Sequence, residues 1–167
     1  EFRRVLFRSP DYTTPLGKEI SGFLHGKRKF PPQVIHCLLA ANRWEKLNDI
    51  KLAQQNNSVI IMNRYYQSNL VYGLVNDMPL SWLEGLDKGL PPADLVIVLD
   101  VSQKESFSRK KTNRDKFEKN ADFLKTISST YRRLAKKYHW SIVNASQSKD
   151  MVHAEIMKIL NKKLARL

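Results

Sequence analysis

One cysteine stands in the whole chain, so no internal disulfide can form and the sequence fits a reducing compartment. That residue, Cys37, lies in the run HCLLAA and reads as a plain buried thiol rather than a reactive one. No apolar stretch approaches the ~18 residues that a bilayer crossing needs, and the first residues lack the order of a signal peptide. Both absences point to a soluble, cytosolic chain with no membrane partner. The four histidines, His25, His36, His139 and His153, show no ligand spacing, which argues against a zinc site. No G-x-S-x-G and no Ser/His/Asp arrangement is visible, and the phosphate-binding loop G-x-x-x-x-G-K-[ST] does not occur.

Acidic residues are scarce. Sixteen Asp and Glu face 29 Lys and Arg, leaving +13, a balance that attracts polyanions: nucleic acid, an anionic membrane or phosphorylated small molecules. Part of the excess sits in SRKKTNRDKFEK, residues 108–119. What is present in quantity is apolar: 42% of 167 residues, enough for one domain with an ordinary core. There is no internal repeat and no low-complexity linker.

Periodicity supplies the elements. A short helix is expected over 15–27, a long one over 31–57 with prolines at its start, helices over 64–76 and 79–86, a long helix running from Phe117 to Tyr138, and a final helix from Val152. The stripe of the 31–57 helix includes Val34, Ile35, Leu38, Ala41 and Leu52. Strands are expected at Val59–Met62, Leu95–Leu99 and within HWSIVNAS, residues 139–146. Strands without alternation, separated by amphipathic helices, predict a parallel sheet covered on both faces, an α/β sandwich. Ligands in such sheets collect at the carboxyl ends of strands, where Asn63-Arg64, Asp100 and Asn144-Ala145-Ser146 fall.

In the helix expected after Met62, Arg64, Ser68 and Tyr72 are four residues apart and form one stripe, opposite the apolar Tyr66, Leu70 and Leu74. An arginine, a hydroxyl and a phenol at a strand's carboxyl end suit a binding surface; a solvated face with an incidental arginine is the plainer alternative. Leu39 and Arg43 lie one turn apart, and on spacing alone core leucine with surface arginine is the better reading. The basic run 108–119 is either solvated or a flap that closes over phosphates.

The segments SPDYTTPLGKEISGFL, HCLLAANRWE, NRYYQSNLVYG, GLPPADLVIVLDVS, RDKFEKN and IVNASQSKDMVHAEI occur in the order found in thymidylate kinases. From about Pro10 onward the chain resembles that family. The resemblance implies a nucleoside monophosphate kinase-like three-layer sandwich with a parallel sheet. Its activity is transfer of the γ-phosphoryl group of ATP to dTMP, giving dTDP, with Mg²⁺ and commonly as a homodimer. It implies that Arg64 grips the dTMP phosphate, that Arg43 hydrogen-bonds the thymine edge and that Leu39 lies over the base. The same resemblance implies that Tyr72 crowds the deoxyribose, that Ser68 shares that pocket, and that Asp11 and Tyr12 occupy the Phe-Pro-Glu/Asp segment near the acceptor. It also implies that Arg109 and Arg114 fall in a lid over about 103–116 and Asn144-Ala145-Ser146 near the adenine.

Four departures stand out. Asn63 replaces the motif's usual aspartate, weakening help to Mg²⁺. Leu39 stands where several members have phenylalanine. Tyr12 replaces a phosphate-binding arginine. EFRRVLFRS occupies the place of the family's first, central strand and glycine loop, so residues 1–9 read as a non-native segment before a domain spanning 10–167, able to mimic an edge strand but not the loop. Arginines at strand ends favour a monophosphate acceptor, already an anionic nucleophile, over a neutral hydroxyl that needs a base. A deoxynucleoside kinase and a basic nucleic-acid-binding module are the alternatives. The latter is disfavoured because the aromatics fall on core stripes rather than beside basic residues on an open face.

Overall fold

The computed structural model describes residues 4–56, 59–102, 105 and 121–165. The chain divides into two compact units, 1–92 and 93–167.

In the first unit β1 (Arg4–Arg8) runs parallel to β2 (Val59–Asn63), in register from Arg4 opposite Val59 to Arg8 opposite Asn63. A parallel pair needs a long crossover, and α1 (Pro15–Leu24), α2 (Pro32–Trp44) and α3 (Leu47–Gln55) supply it. Beyond β2 follow α4 (Tyr66–Val75) and α5 (Leu80–Leu86). One face of the strand pair is covered: Phe7, Ile60 and Met62 pack with Leu47, Ile50, Tyr65 and Leu90. On the other face Leu6 and Ile61 stay 57% and 48% exposed. Parallel strands joined by helices are the α/β arrangement that the sequence predicted. The segment read as able to act as an edge strand is a strand.

In the second unit β3 (Ile97–Asp100) pairs in parallel with β4 (Ser141–Asn144). Helix α6 (Ala121–Tyr138) packs on both strands and α7 (Lys149–Leu164) on β4. Ile127, Leu134 and Val143 are buried there. Ser148 caps α7, its hydroxyl accepting from the Met151 N–H.

Several boundaries differ from the periodic reading. The helix expected over 31–57 is two helices, parted at Glu45 and Lys46. Long-range pairing meets the chain at this break: Lys46 reaches Asp11 at 2.9 Å, and the Glu45 carboxylate accepts from Thr14. The break resets the helical phase, so Ile50 and Ala53 become the buried positions of α3 while Leu52 is 60% exposed; Val34, expected in the stripe, is also exposed. Cys37 is exposed rather than buried, because its neighbours Ile35, His36 and Ala40 take the inward face of α2. The first helix stops at Leu24 rather than running to Lys27, with Gly26 turning the chain at φ +77°. The strand expected at 95–99 lies at 97–100. The basic run 108–119 and the start of the helix from Phe117 lie outside the described residues, as do Arg109 and Arg114.

Candidate active site

The residues singled out at 11–12, 39–43 and 64–72 all lie in the first unit. Arg64 is not helical. It follows the last residue of β2 with φ +64°, a left-handed backbone that few non-glycine residues adopt, and α4 begins two residues later. Strain of this kind concentrates where the surroundings hold a side chain in a required place. Tyr65, buried, provides the hold: its hydroxyl donates to the Pro91 carbonyl and its ring tilts against Tyr66 at 4.8 Å. Burial, with the neighbouring Tyr66 and Asp87 adding to it, pushes the Tyr65 phenol up to about 12. The turn brings the Arg64 guanidinium over the Tyr72 ring, 5.8 Å from its centroid. Arg64 and Tyr72 thus meet as the four-residue spacing suggested, through a strained turn rather than a continuous helix. Ser68 and Tyr72 are both half-buried.

Helix α2 contributes Leu39, half-buried, and Arg43, which is not the surface arginine that spacing favoured. Its side chain is 3% exposed and clamped side-on by Asp87, Nε to one carboxylate oxygen at 2.8 Å and Nη2 to the other at 2.7 Å. Next to it Asn42 grips the 11–14 loop, accepting from the Asp11 N–H and donating to the Asp11 carbonyl and Thr14. Gly17 lets that loop close, since a Cβ there would run into the Asp11 carbonyl. Asp11 itself accepts from the Thr13 hydroxyl and N–H and from Lys46. The Thr13 bonds chiefly, with Lys46, lower its carboxyl to about 2. Asp11 and Lys46, with Leu6, Phe7 and Arg8, line a cavity of about 330 Å³ at the carboxyl end of β1. Tyr12 is 47% exposed.

A polar group that periodicity did not single out ties α2 to α4. His36, 1% exposed, donates from Nδ1–H to Asn69 Oδ1 at 2.7 Å, and the Asn76 amide donates to Nε2 at 3.1 Å. A second proton on Nε2 would face an amide N–H, and burial, offset in part by Asn69 and helped by the charge of Arg43, lowers the imidazole below its ordinary 6.5. The unfolded chain therefore binds more protons than the folded one once the pH drops past that value, so this contribution is whole above it and lost below it. The melting temperature is expected to fall between about pH 7 and pH 5, and to fall less in His36→Gln, whose amide can serve both neighbours uncharged. Equal declines in the two proteins would remove His36 from the account.

In the second unit the turn after β4 is closed by its own groups. The Asn144 side chain accepts from the Ser146 N–H, the Ser146 hydroxyl accepts from the Ser102 N–H, and the Ala145 N–H donates to the Asp100 carbonyl. Asp100 accepts from Ser128 and from two nitrogens of Arg132.

Residues that the sequence reading passed over are Asp87, Asn42, His36 with its two asparagines, and Lys46. For His36 and Asn42 a signal existed: both are polar residues on the inward face of α2, and a buried polar group must have partners. Asp87, 44 residues from Arg43, carried no such signal.

The thymidylate kinase family model matches residues 1–156. Thymidylate kinase of Dictyostelium discoideum is 29% identical over 160 residues, covering 96% of this chain and 72% of that protein. Thymidylate kinase of Schizosaccharomyces pombe is 30% identical over 161 residues, 93% and 76% of the two chains. The solved structure of thymidylate kinase from Candida albicans superposes with a TM-score of 0.85 at 26% identity, over 96% of this chain and 81% of that one.

Proposed function

This chain belongs to the thymidylate kinase family, and from that premise we infer which of its residues serve the family's phosphoryl transfer from ATP to dTMP. The observation that carries the reading is the strained turn at Arg64, which sets a guanidinium over the Tyr72 ring beside the end of β2. An incoming phosphoryl group and a nucleotide monophosphate repel each other, and the acceptor needs no base to become a nucleophile. The protein's task is to hold the acceptor and neutralise its charge. Arg64 takes the acceptor phosphate, with a planar fork matched to phosphate oxygens. Tyr72 and Ser68 bound the deoxyribose, Leu39 covers the base and Arg43 meets its edge. Asp11, fully ionised at neutral pH, works through Lys46 and Thr13 to fix the loop that carries Tyr12.

Arg109 and Arg114 are assigned to the donor side as lid cations, and Asn144, Ala145 and Ser146 to the adenine. Mg²⁺ would enter with the ATP phosphates, which share it with only one or two protein carboxylates; no group of three His, Cys, Asp or Glu side chains lies together among the described residues, and Asn63 offers only a neutral amide at the end of β2. The acceptor-side roles do not depend on the ion. A homodimer and a cytosolic location complete the proposal; no described helix is long and apolar enough to cross a membrane.

The test is calorimetric. The 167-residue chain is expected to bind dTMP at least about tenfold more tightly than thymidine, because only the former engages Arg64. Equal affinities would favour a nucleoside as the acceptor and overturn the assignment.

A further inference from the structure

We propose that Asp87 is a positioning residue that sets base selectivity, holding the back of the Arg43 guanidinium so that its front offers only hydrogen-bond donors to a pyrimidine edge. The inference rests on the base lying beside Leu39 and Arg43, as argued above.

A guanidinium has five N–H donors. Asp87 takes two of them, on Nε and Nη2, in a bidentate pair with both side chains almost sealed from solvent. Among the described residues no side-chain nitrogen is both sealed and unpartnered. The Nη1 group is the one that Asp87, bound side-on, leaves uncommitted. The arrangement is a buried cation, its side chain 3% exposed, held along one edge with Nη1 as its spare donor group. Residue 87 is itself fixed twice over. Its carbonyl accepts from the Leu90 N–H, and the Trp44 indole N–H, next to Arg43, donates to the Leu86 carbonyl at 2.9 Å. Gly89, at φ +107°, lies under the Trp44 ring, where a Cβ would stand 3.1 Å from it. Two neighbouring side chains of α2 thus clamp residues 86–89. A buried ion pair is weak evidence of stability, since an apolar pair of similar volume often serves as well; its use here is orientation.

The chemistry follows from the donor-only face. Thymine and uracil present a carbonyl at position 4, which accepts from Nη1. Cytosine presents an amino group there, and donor meets donor. A guanidinium released from Asp87 can swing away and tolerate the amino group, so selectivity falls while the sugar-phosphate contact, which belongs to Arg64, is kept.

The experiment measures affinity of the 167-residue chain for dTMP, dCMP and 2-deoxyribose 5-phosphate. The unmodified chain is expected to prefer dTMP over dCMP by at least about tenfold. In Asp87→Asn, which keeps one acceptor and turns an amide N–H toward Nη2, that ratio is expected to shrink to within about threefold with 2-deoxyribose 5-phosphate binding unchanged. A merely structural role would weaken all three ligands together and leave the ratio, which overturns the proposal. An unmodified chain that does not distinguish dTMP from dCMP overturns both the placement of the base and the role of Asp87. A chain that does distinguish them, with the ratio intact in the variant, overturns Asp87 alone. Should Asp87→Asn not fold, nitrogen-resolved spectra of the unmodified chain decide. The Arg43 Nε–H is expected to resist solvent exchange with and without ligand, and Nη1 to shift with dTMP but not with 2-deoxyribose 5-phosphate. An unprotected Nε–H, or an Nη1 that ignores dTMP, sinks the idea.

Discussion

Arg64→Ala is expected to lose dTMP affinity by roughly tenfold to a hundredfold, the ~1.5–3 kcal/mol carried by a hydrogen bond to a charged group. The fold should remain. Arg64 is exposed and lies outside the packed cluster of Ile50, Tyr65 and Leu90, and alanine removes a side chain without altering the hydrogen bonds that set the turn, from Tyr65 to Pro91 and from Ser9 to the Asn63 carbonyl. The strained φ of +64° is no easier for alanine, so a small loss of stability accompanies the change. Thymidine, which lacks the phosphate, serves as the internal reference: its weak binding should be equal in the two proteins. Lysine is the informative second substitution. It keeps the charge but not the planar fork, nor the stacking on Tyr72, and should fall between arginine and alanine. If Arg64→Ala binds dTMP as the unmodified chain does, the phosphate does not sit at the end of β2 and the acceptor site lies elsewhere.

The contrast between Arg64 and Arg43 shows what the sequence could and could not carry. Four apolar residues before Asn63 announce a buried parallel strand, and position alone then places Arg64 at its carboxyl end, where ligands gather. No local pattern announces the left-handed turn, because it is imposed by contacts of Tyr65 with Pro91, 26 residues away. Arg43 illustrates the converse. Spacing favours a surface arginine, and burial by a carboxylate 44 residues distant reverses that; only the resemblance to a family pointed to the position. The broken helix at Glu45–Lys46 follows the same division: periodicity reports a face, whereas the groups that pair at the break, Asp11 and Thr14, lie on a different segment. Elements made by local patterning were legible to within a few residues. Features made by pairing across the chain were not, and in this protein the polar groups of the acceptor site are nearly all of that second kind.

These 167 residues by themselves are expected to bind dTMP and yet form no dTDP from ATP. Phosphoryl transfer requires the donor's charged oxygens to be cradled, and backbone N–H groups of a glycine loop at a helix N-terminus do this. Two Gly-Lys pairs occur, Gly17-Lys18 and Gly26-Lys27. Neither completes the motif. The position five before each glycine is Tyr12 or Ser21 rather than glycine, and the residue after each lysine is Glu19 or Arg28 rather than a hydroxyl. The Gly17 N–H, moreover, already donates to the Thr14 hydroxyl as the cap of α1, so it is not free to meet a phosphate. The acceptor-side residues, from Asp11 to Tyr72, all belong to one compact unit, which is why binding is expected to survive where turnover does not. The assay is dTDP accumulation under saturating dTMP and ATP with Mg²⁺, at rising protein concentration, alongside Arg64→Ala. Product formed in proportion to the chain and lost in the variant would show that phosphates are held by groups other than a glycine loop, and the donor side would have to be sought among the arginines alone.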